Sequence, residues 1–199
     1  MSMSKEIIII GASGHGKVIA DIAEKSGDKV VGFLDDDLTK AGVIGPVCDC
    51  VKYKDKRFII GIGNTEIRKR IADEYDDLNY YTAIHPEAVI ANNAKISEGT
   101  AVMANAAINA LATVGAHSII NTASVVEHDN IIGNFVHISP GAILCGGVTV
   151  GDQTHIGAGA VVRNNVTICG NTTVGCGACV VKDITESGIY IGVPAKPIK

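Results

Sequence analysis

His128 and Asp129 are neighbours whose side chains could act together in proton transfer. A carboxylate that accepts a hydrogen bond from one imidazole nitrogen holds the ring in one tautomer and makes the other nitrogen a stronger base. Side chains of adjacent residues on a straight strand point to opposite faces, so the two can cooperate only where the chain bends. The pair therefore predicts a general base at a corner of the fold.

A glycine-rich segment near the start of the chain is a second candidate site. Residues 11–16 read Gly-Ala-Ser-Gly-His-Gly, and Asp35, Asp36 and Asp37 follow about 20 residues later, as in nucleotide-binding α/β folds. The G-x-x-G-x-G spacing and the small size of the unit favour a nucleotide-linked sugar over NAD. The alternative is that the glycines only form a tight turn, which an exposed histidine and three aspartates would not require.

Alternating strand and helix patterns over residues 1–83 predict an α/β, Rossmann-like N-terminal domain. Strands are predicted over 5–10, 29–34 and 57–62, with helices over 17–25 and 66–73. Gly63 follows the third strand, at the sheet edge where open α/β sheets bind their ligands.

The remaining chain, residues 84–199, has a strict six-residue period. Every sixth residue from Ile84 to Val180 is isoleucine, valine or leucine, in 17 consecutive positions, although these types make up only 54 of 199 residues. A small or β-branched residue, or Asn130, follows each of the first 16 by four positions. The period predicts an all-β left-handed parallel β-helix of hexapeptide repeats, with 18 residues in each three-sided coil. Acyltransferases are the main users of this fold. A β-sandwich would need turns every 8–12 residues instead.

The coil period also predicts which residues stack. Gly146 follows His128 by 18 residues and leaves a notch above the base, which we expect to admit an acyl thioester. His155 stacks over His137, and a histidine here could donate a hydrogen bond to the thioester carbonyl. We assign that role to His137 and expect His155 to be a solvent-exposed neighbour and His117 a surface residue.

The spacing of two histidines predicts a homo-oligomer. His128 and His137 are nine residues apart, half a coil, and cannot easily face one groove of a single prism. Two neighbouring prisms could bring them together, and threefold closure suits a three-sided prism. We therefore expect a homotrimer with active sites between subunits.

Composition excludes several classes of function. A formal net charge of −4 suggests no nucleic-acid partner. The apolar run at residues 7–10 is too short for a signal peptide or a membrane span, which predicts a cytoplasmic protein with reduced cysteines. Cys176 and Cys179 form a CxxC without partner ligands, so we expect packing and no metal.

Five segments together resemble a known family of bacterial sugar acyltransferases, the sialic acid O-acetyltransferase type. Within it, they resemble the UDP-4-amino-sugar N-acetyltransferases of bacillosamine pathways. The resemblance extends over essentially the whole chain, and its most specific parts are GASGHGK and EHD. The five segments are residues 11–16, 34–36, 61–66, 125–129 and 192–196.

The resemblance implies a trimer that binds a UDP-linked amino sugar in the N-terminal domain and acetyl-CoA between β-helices. It implies direct acetyl transfer, with His128 as general base and Asp129 supporting it, where the family often has glutamate. The implied substrate-binding residues are Ser13, Gly14, His15, Asp35, Asp36 and Gly63. The implied positions along the acetyl-CoA groove are His137, Gly146, Ala158 and Cys176.

Three alternatives stay open at this point. The acceptor could be a hydroxyl of sialic acid or a polysaccharide, or the amine of a GDP-linked sugar, on the same fold with the same base. A zinc protein of the γ-carbonic-anhydrase type would need three converging histidines, and His117 is two positions out of column with His137 and His155. The third alternative is a catalytically inactive scaffold or nucleotide sensor.

Overall fold

A computed structural model describes residues 4–198, so the outermost limits of the two predicted domains, residues 1 and 199, lie outside the described part. The N-terminal domain contains a four-stranded parallel sheet in which the third, second, first and fourth strands of the chain lie side by side in that order. Its elements are β1 (Glu6–Ile10), α1 (Gly14–Lys25), β2 (Lys29–Leu34), β3 (Val43–Gly45), a 3₁₀ helix (Val47–Tyr53), β4 (Arg57–Ile60) and α2 (Thr65–Glu74).

The central strand β1 has four fully buried isoleucines because helices or the solenoid cover both faces of the sheet. Ile7 and Ile9 pack with α1 and with the solenoid, whereas Ile8 and Ile10 pack with α2. This arrangement explains the continuous apolar run, and β3 is the one strand of this sheet that the pattern did not predict.

The glycine-rich segment is shaped by close backbone packing. Helix α1 begins at Gly14, three residues before the predicted start. A Cβ on Gly16 would collide with the Gly11 carbonyl oxygen, and one on Gly61 would lie 2.7 Å from the Gly16 Cα. These glycines allow α1 to approach β1 and β4, so part of the motif serves packing.

The rest of the chain forms the predicted parallel β-solenoid, whose three sheets each run along one side of the prism. The first sheet contains Ala83–Ile84, Ala101–Val102, Ile119–Ile120, His137–Ile138, His155–Ile156 and Thr173–Val174, extended by Ile189–Ile191 and Lys196–Pro197. The second contains Val89–Ile90, Ala107–Ile108, Val125–Val126, Ile143–Leu144, Val161–Val162 and Cys179–Val180. The third contains Lys95–Ile96, Thr113–Val114, Ile131–Ile132, Thr149–Val150 and Thr167–Ile168.

The six-residue apolar series fills the prism interior, as predicted. From Val102 to Val180 its members are at most 2% exposed and form one continuous cluster with small corner residues such as Ala142 and Ala160. Residues at the corners adopt left-handed backbone conformations, including Asp129 at φ 59° and Gly147 at φ 70°.

The N-terminal domain covers the lower part of the first sheet. Ala83, Ala101 and Ile119 face outward from that sheet and pack in one cluster with Ile7 and Ile9 of β1. Along the same outward column the next three residues are His137, His155 and Thr173. The change from apolar to polar residues marks the start of an open cleft. Among residues 4–198, no helix has the length and apolar character needed to cross a membrane.

Candidate active site

The turn between the second and third sheets brings His128 and Asp129 together. The left-handed conformation of Asp129 bends the chain, and the imidazole Nδ1 lies 2.7 Å from Asp129 Oδ2. Both side chains are more than half exposed, at 62% and 55%. Because Nδ1 faces the carboxylate, the Nε2 lone pair is left available. The hydrogen bond to Asp129 raises the pKa of His128.

Gly146 lies directly against the imidazole, as the coil period predicts. A Cβ built on Gly146 would be 2.6 Å from both Cε1 and Nε2 of His128. The turn that contains Gly146 also contacts the backbone of His128, since the Gly147 N–H donates to the His128 carbonyl at 2.9 Å. A side chain at residue 146 would therefore cover the available edge of the ring.

A separate cleft of about 570 Å³ opens between the start of α2 and the first sheet of the solenoid. This volume is within the range of small-molecule sites, and the lining is mostly polar. The residues around it are Gly63, Asn64, Thr65, Glu66, His137, Gln153, His155, Asn171 and Thr173.

Three histidines form a group beside this cleft. The rings of His137 and His155 stack at 4.8 Å with 12° between their planes, and His15 of α1 lies 6.5 Å from His137. The Asn121 amide donates to His137 Nε2 at 3.1 Å, so the His137 ring proton is on Nδ1. His155 Nε2 shares a 2.7 Å hydrogen bond with the Ser139 hydroxyl.

Arg68 of α2 joins the two walls of the cleft, although it is only 1% exposed. Its Nε donates to the His117 carbonyl at 2.7 Å, and Nη2 donates to the Phe135 carbonyl at 3.0 Å, both on the solenoid. Its Nη1 donates to the carbonyls of Ile62 and Gly63 in the loop before α2. The guanidinium is thus bonded to carbonyl oxygens rather than to a carboxylate.

The histidines near Arg68 are held in their neutral form. Burial, followed by the Arg68 charge, lowers the pKa of both His15 and His117 to about 4. Burial lowers the pKa of His137 to about 3, with further contributions from His155, Arg68 and His15. Burial and Arg68 also lower the pKa of His155. The cleft histidines are therefore poor bases but remain hydrogen-bond donors.

Three expectations about exposure were wrong. His117 is a buried residue, 7% exposed, because its ring stacks on Phe135 and meets Tyr80 edge-on. His155 is half-buried in the cleft instead of solvent-exposed, because it stacks on His137. His15, expected to be exposed, is half-buried, and its Nε2 is inaccessible and has no hydrogen-bond partner.

The predicted nucleotide residues fall into two groups. His15 and Gly63 lie beside or in the cleft, whereas Ser13 and Asp35 meet at Lys40, whose Nζ is 2.9 Å from Asp35 Oδ2 and 3.3 Å from Ser13 Oγ. Asp35 also accepts from the Ala12 N–H at 2.8 Å. Two further predicted residues are exposed nearby: Gly14 begins α1, and Asp36 accepts from the Val47 N–H.

The predicted acetyl-CoA residues lie at different sides of one prism. Gly146 is in the turn between the second and third sheets, and His137 is on the first sheet. Ala158 and Cys176 stack in the turn between the first and second sheets, where the Gly177 N–H donates to the Ala158 carbonyl. A single chain does not bring these four residues together.

Several site residues were missed by sequence reasoning. Gln153, Asn171 and Thr173 continue columns of the solenoid and could have been found by extending the 18-residue count. Arg68 and Asn121 carry no comparable signal, because their contacts join segments that are distant in sequence. Within residues 4–198, no three His, Cys, Asp or Glu side chains are grouped so that they could hold a metal ion.

Comparison with known proteins agrees with both parts of the chain. Residues 6–75 match the PglD N-terminal domain, and residues 131–164 match the bacterial transferase hexapeptide (six repeats). The acetyltransferase domain of PglB from Neisseria gonorrhoeae FA1090 superimposes with a TM-score of 0.93 at 35% identity, over 98% of this chain and 100% of that one. The chain belongs to the hexapeptide-repeat sugar N-acetyltransferase family.

Other members of this sugar N-acetyltransferase family are similar over different lengths. PerB from Caulobacter crescentus, solved in complex with CoA and GDP-perosamine, has a TM-score of 0.92 and 37% identity, over 98% of this chain and 97% of that one. The UDP-N-acetylbacillosamine N-acetyltransferase of Bacillus subtilis (strain 168) is 38% identical over 50% of this chain. The chain spans about half the length, 52%, of this curated relative. The resemblance predicted from the motifs is confirmed.

Proposed function

We propose that the protein transfers the acetyl group of acetyl-CoA to the amine of a nucleotide-linked sugar, with a UDP-linked 4-amino-4,6-dideoxy sugar as acceptor. The observation that carries the proposal is the exposed His128–Asp129 pair, whose available ring edge faces the Gly146 notch. Similarity to PerB, solved with CoA and GDP-perosamine, extends over nearly the whole chain and supports a nucleotide-linked amino sugar. Similarity over half of this chain to the UDP-N-acetylbacillosamine N-acetyltransferase supports UDP as the nucleotide.

His128 is the general base of the proposed reaction, with Asp129 as its partner. The amine nitrogen attacks the thioester carbonyl, a C–N bond forms, and His128 Nε2 takes up the proton that the amine loses. The C–S bond then breaks, and CoA leaves as the thiol after it gains a proton. Asp129 holds the Nδ1–H and stabilises the imidazolium that forms.

The transfer is direct, without an acyl-enzyme. A cysteine nucleophile would need a base in hydrogen-bond reach. Among residues 4–198, the cysteine side chain that forms a hydrogen bond, Cys169, pairs with the Thr172 hydroxyl rather than with a histidine. A loss on Cys145→Ala that exceeds the loss on His128→Ala would contradict direct transfer.

The cleft and the N-terminal sheet edge take the nucleotide sugar in this proposal. The buried Arg68 guanidinium and the N-terminal end of the α2 dipole add positive potential at a cleft wall that also carries the Glu66 carboxylate. The N-terminal end of a helix suits a diphosphate. His15 and Gly63 face that region. Ser13, Gly14, Asp35 and Asp36, at the carboxyl ends of β1 and β2, are assigned to the nucleoside.

The active site is completed by a second chain in a homotrimer. His128 and His137 lie on different sides of one prism, so a groove between two copies can hold both. Gly146, Ala158 and Cys176 would line the acetyl-CoA in that groove. His137, with its proton on Nδ1, would donate to the thioester carbonyl as negative charge develops. The outward-facing Ile131 and Ile143 are 56% and 39% exposed in one chain and suit such an interface.

A GDP-linked amino sugar is the second candidate acceptor. The similarity to PerB, which binds GDP-perosamine, extends over 98% of this chain and favours it specifically.

The test is thiol release from acetyl-CoA with a panel of acceptors: UDP-4-amino-4,6-dideoxy sugars, their GDP equivalents and free sialic acid. We expect release with a UDP-4-amino sugar, and a loss of about 10²–10⁴-fold in kcat for His128→Ala, the usual effect of removing a general base. Release only with the GDP sugar would show that the acceptor is the second candidate, a GDP-linked amino sugar. Release only with sialic acid, or with none of the acceptors, would contradict N-acetylation.

A further inference from the structure

Asn130 is a polar residue in an interior column that is otherwise apolar. It is fully buried and lies two residues after His128. The residues at the same position of the neighbouring coils are Ala94, Ala112, Val148 and Val166. An amide inside an apolar column is unfavourable unless its polar atoms are paired, so its contacts are informative.

The Asn130 side chain bridges the two ends of the turn in the next coil. Its Oδ1 accepts from the Val148 N–H at 2.6 Å, and its Nδ2 donates to the Leu144 carbonyl at 3.3 Å. Both partners are fully buried. Residues 145–147, between these two partners, form the turn that contains Gly146.

That turn is the upper wall of the notch over His128. The Gly147 N–H donates to the His128 carbonyl, and Gly146 lies so close to the imidazole that a Cβ on residue 146 would not fit. Asn130 therefore connects, from inside the prism, the corner that carries the base and the turn that faces it.

Another corner of the solenoid makes the same kind of bridge with hydroxyl groups. Thr100 Oγ1 accepts from the Ser118 N–H at 3.1 Å and donates to the Gly115 carbonyl at 2.8 Å. Ser118 repeats the pattern with the Val136 N–H and the Gly133 carbonyl, both at 3.0 Å. Hydroxyls recur at that corner, whereas the amide occurs in the coil of His128.

We propose that Asn130 is a positioning residue that sets the height of the 145–147 turn over the His128 imidazole, and so the opening through which the thioester reaches the base. The inference rests on the proposed function and deepens it. Asn130 touches neither substrate and acts through the turn. A displacement of about 1 Å in a reacting group is enough to lower a rate by about 10²-fold.

The kinetic test compares Asn130→Val with Thr100→Val. Valine matches Val148 and Val166 in the Asn130 column, and each substitution removes one buried side chain that makes two hydrogen bonds. We expect Asn130→Val to lower kcat by about 10- to 100-fold and to leave the KM for the nucleotide sugar unchanged. Thr100→Val should keep the wild-type kcat, although its melting temperature should fall by about as much as that of Asn130→Val.

The second measurement follows Cys145, which is half-buried in the same turn. Maleimide labelling of the free enzyme, resolved by peptide mass spectrometry, should be faster at Cys145 in Asn130→Val and unchanged in Thr100→Val. Because this labelling needs no substrate, it tests whether Asn130 fixes the position of the 145–147 turn even if the protein does not catalyse the proposed acetyl transfer. Asn130→Thr, isosteric with valine, should recover both readouts in part.

Two results would overturn the inference. One is a Cys145 labelling rate in Asn130→Val equal to that in Thr100→Val, and the other is an equal kcat in these two variants. If Asn130→Val does not fold, Asn130→Thr is measured against Thr100→Val in the same way, with a smaller loss of kcat and smaller gain in labelling expected.

Discussion

The histidine at the solenoid corner and the histidines of the cleft show opposite responses of one side chain to its surroundings. His128 is exposed and bonded to a carboxylate, which raises its pKa. His137 is packed against His155 and near the Arg68 guanidinium, and burial lowers its pKa to about 3. The first ring is the stronger base, whereas the second stays neutral and keeps its Nδ1–H as a hydrogen-bond donor.

In the proposed reaction, this difference divides the chemistry between two surfaces. A base and a neutral hydrogen-bond donor are both needed to move a proton and to stabilise an oxyanion, and one environment cannot favour both. The fold separates them by placing one on an exposed turn and the other between two domains.

The largest effect is expected from filling the notch at the corner. Gly146→Val should lower thiol release by at least about 10²-fold, because its Cβ would lie 2.6 Å from His128 Cε1 and Nε2. The backbone of Gly146 is outside the left-handed region, so contact rather than strain is the cause. Gly146→Ala should have a smaller effect, and light scattering should find the same oligomer. Wild-type turnover in Gly146→Val would contradict the assigned entry path.

A smaller effect is expected from removing the carboxylate partner. The base must be neutral to accept a proton, so kcat/KM falls as pH drops through the pKa of His128. Asp129→Asn replaces the carboxylate whose hydrogen bond and charge raise this pKa with a neutral amide, which moves the acidic limb to lower pH. It should also reduce kcat by about 10- to 100-fold, because the base is weaker.

Glu127→Gln is the matched control for this substitution. It removes the same charge on the other side of His128, but Glu127 bonds to the backbone N–H of His128 rather than to the ring. Its acidic limb should move less than that of Asp129→Asn, and an equal movement would contradict the role of the ring hydrogen bond.

The smallest effect is expected on the pH dependence of folding stability, through the buried His117. Because the pKa of His117 is about 4 in the folded protein, its neutral form contributes stability that is lost as pH falls below about 6.5, the ordinary value. His117→Phe, which can still stack on Phe135, should be more stable than wild type by about 1 kcal/mol at pH 5.5 and about as stable as wild type at pH 8. The free energies of unfolding of both proteins, measured with urea at pH 5.5 and pH 8, test this prediction. A difference between the two proteins that is the same at both pH values would contradict it.

The coil geometry could be predicted from the sequence because it depends on a local repeat. The period of six residues gives the interior positions, and the coil of 18 gives the stacking of Gly146 on His128 and of His155 on His137. In a solenoid each residue meets its neighbours one coil away, so sequence separation converts directly into contact.

The surroundings of the cleft could not be predicted in this way. His117 looked like an exposed corner residue, yet Tyr80 of the other domain covers it. The partners of Arg68 are carbonyls 49 and 67 residues away, and backbone carbonyls carry no sequence signal. The bridge made by Asn130 was missed for a different reason, since Asn130 was counted with the small and β-branched corner residues and its polar atoms were not considered.

The sequence by itself determined the two architectures, the stacking register and the pairing of His128 with Asp129, because these follow from local periods and adjacent residues. Only the tertiary structure decided that the cleft histidines have lowered pKa values. This lowering depends on burial and on the distance to Arg68, and both arise when the N-terminal domain packs against the first sheet of the solenoid.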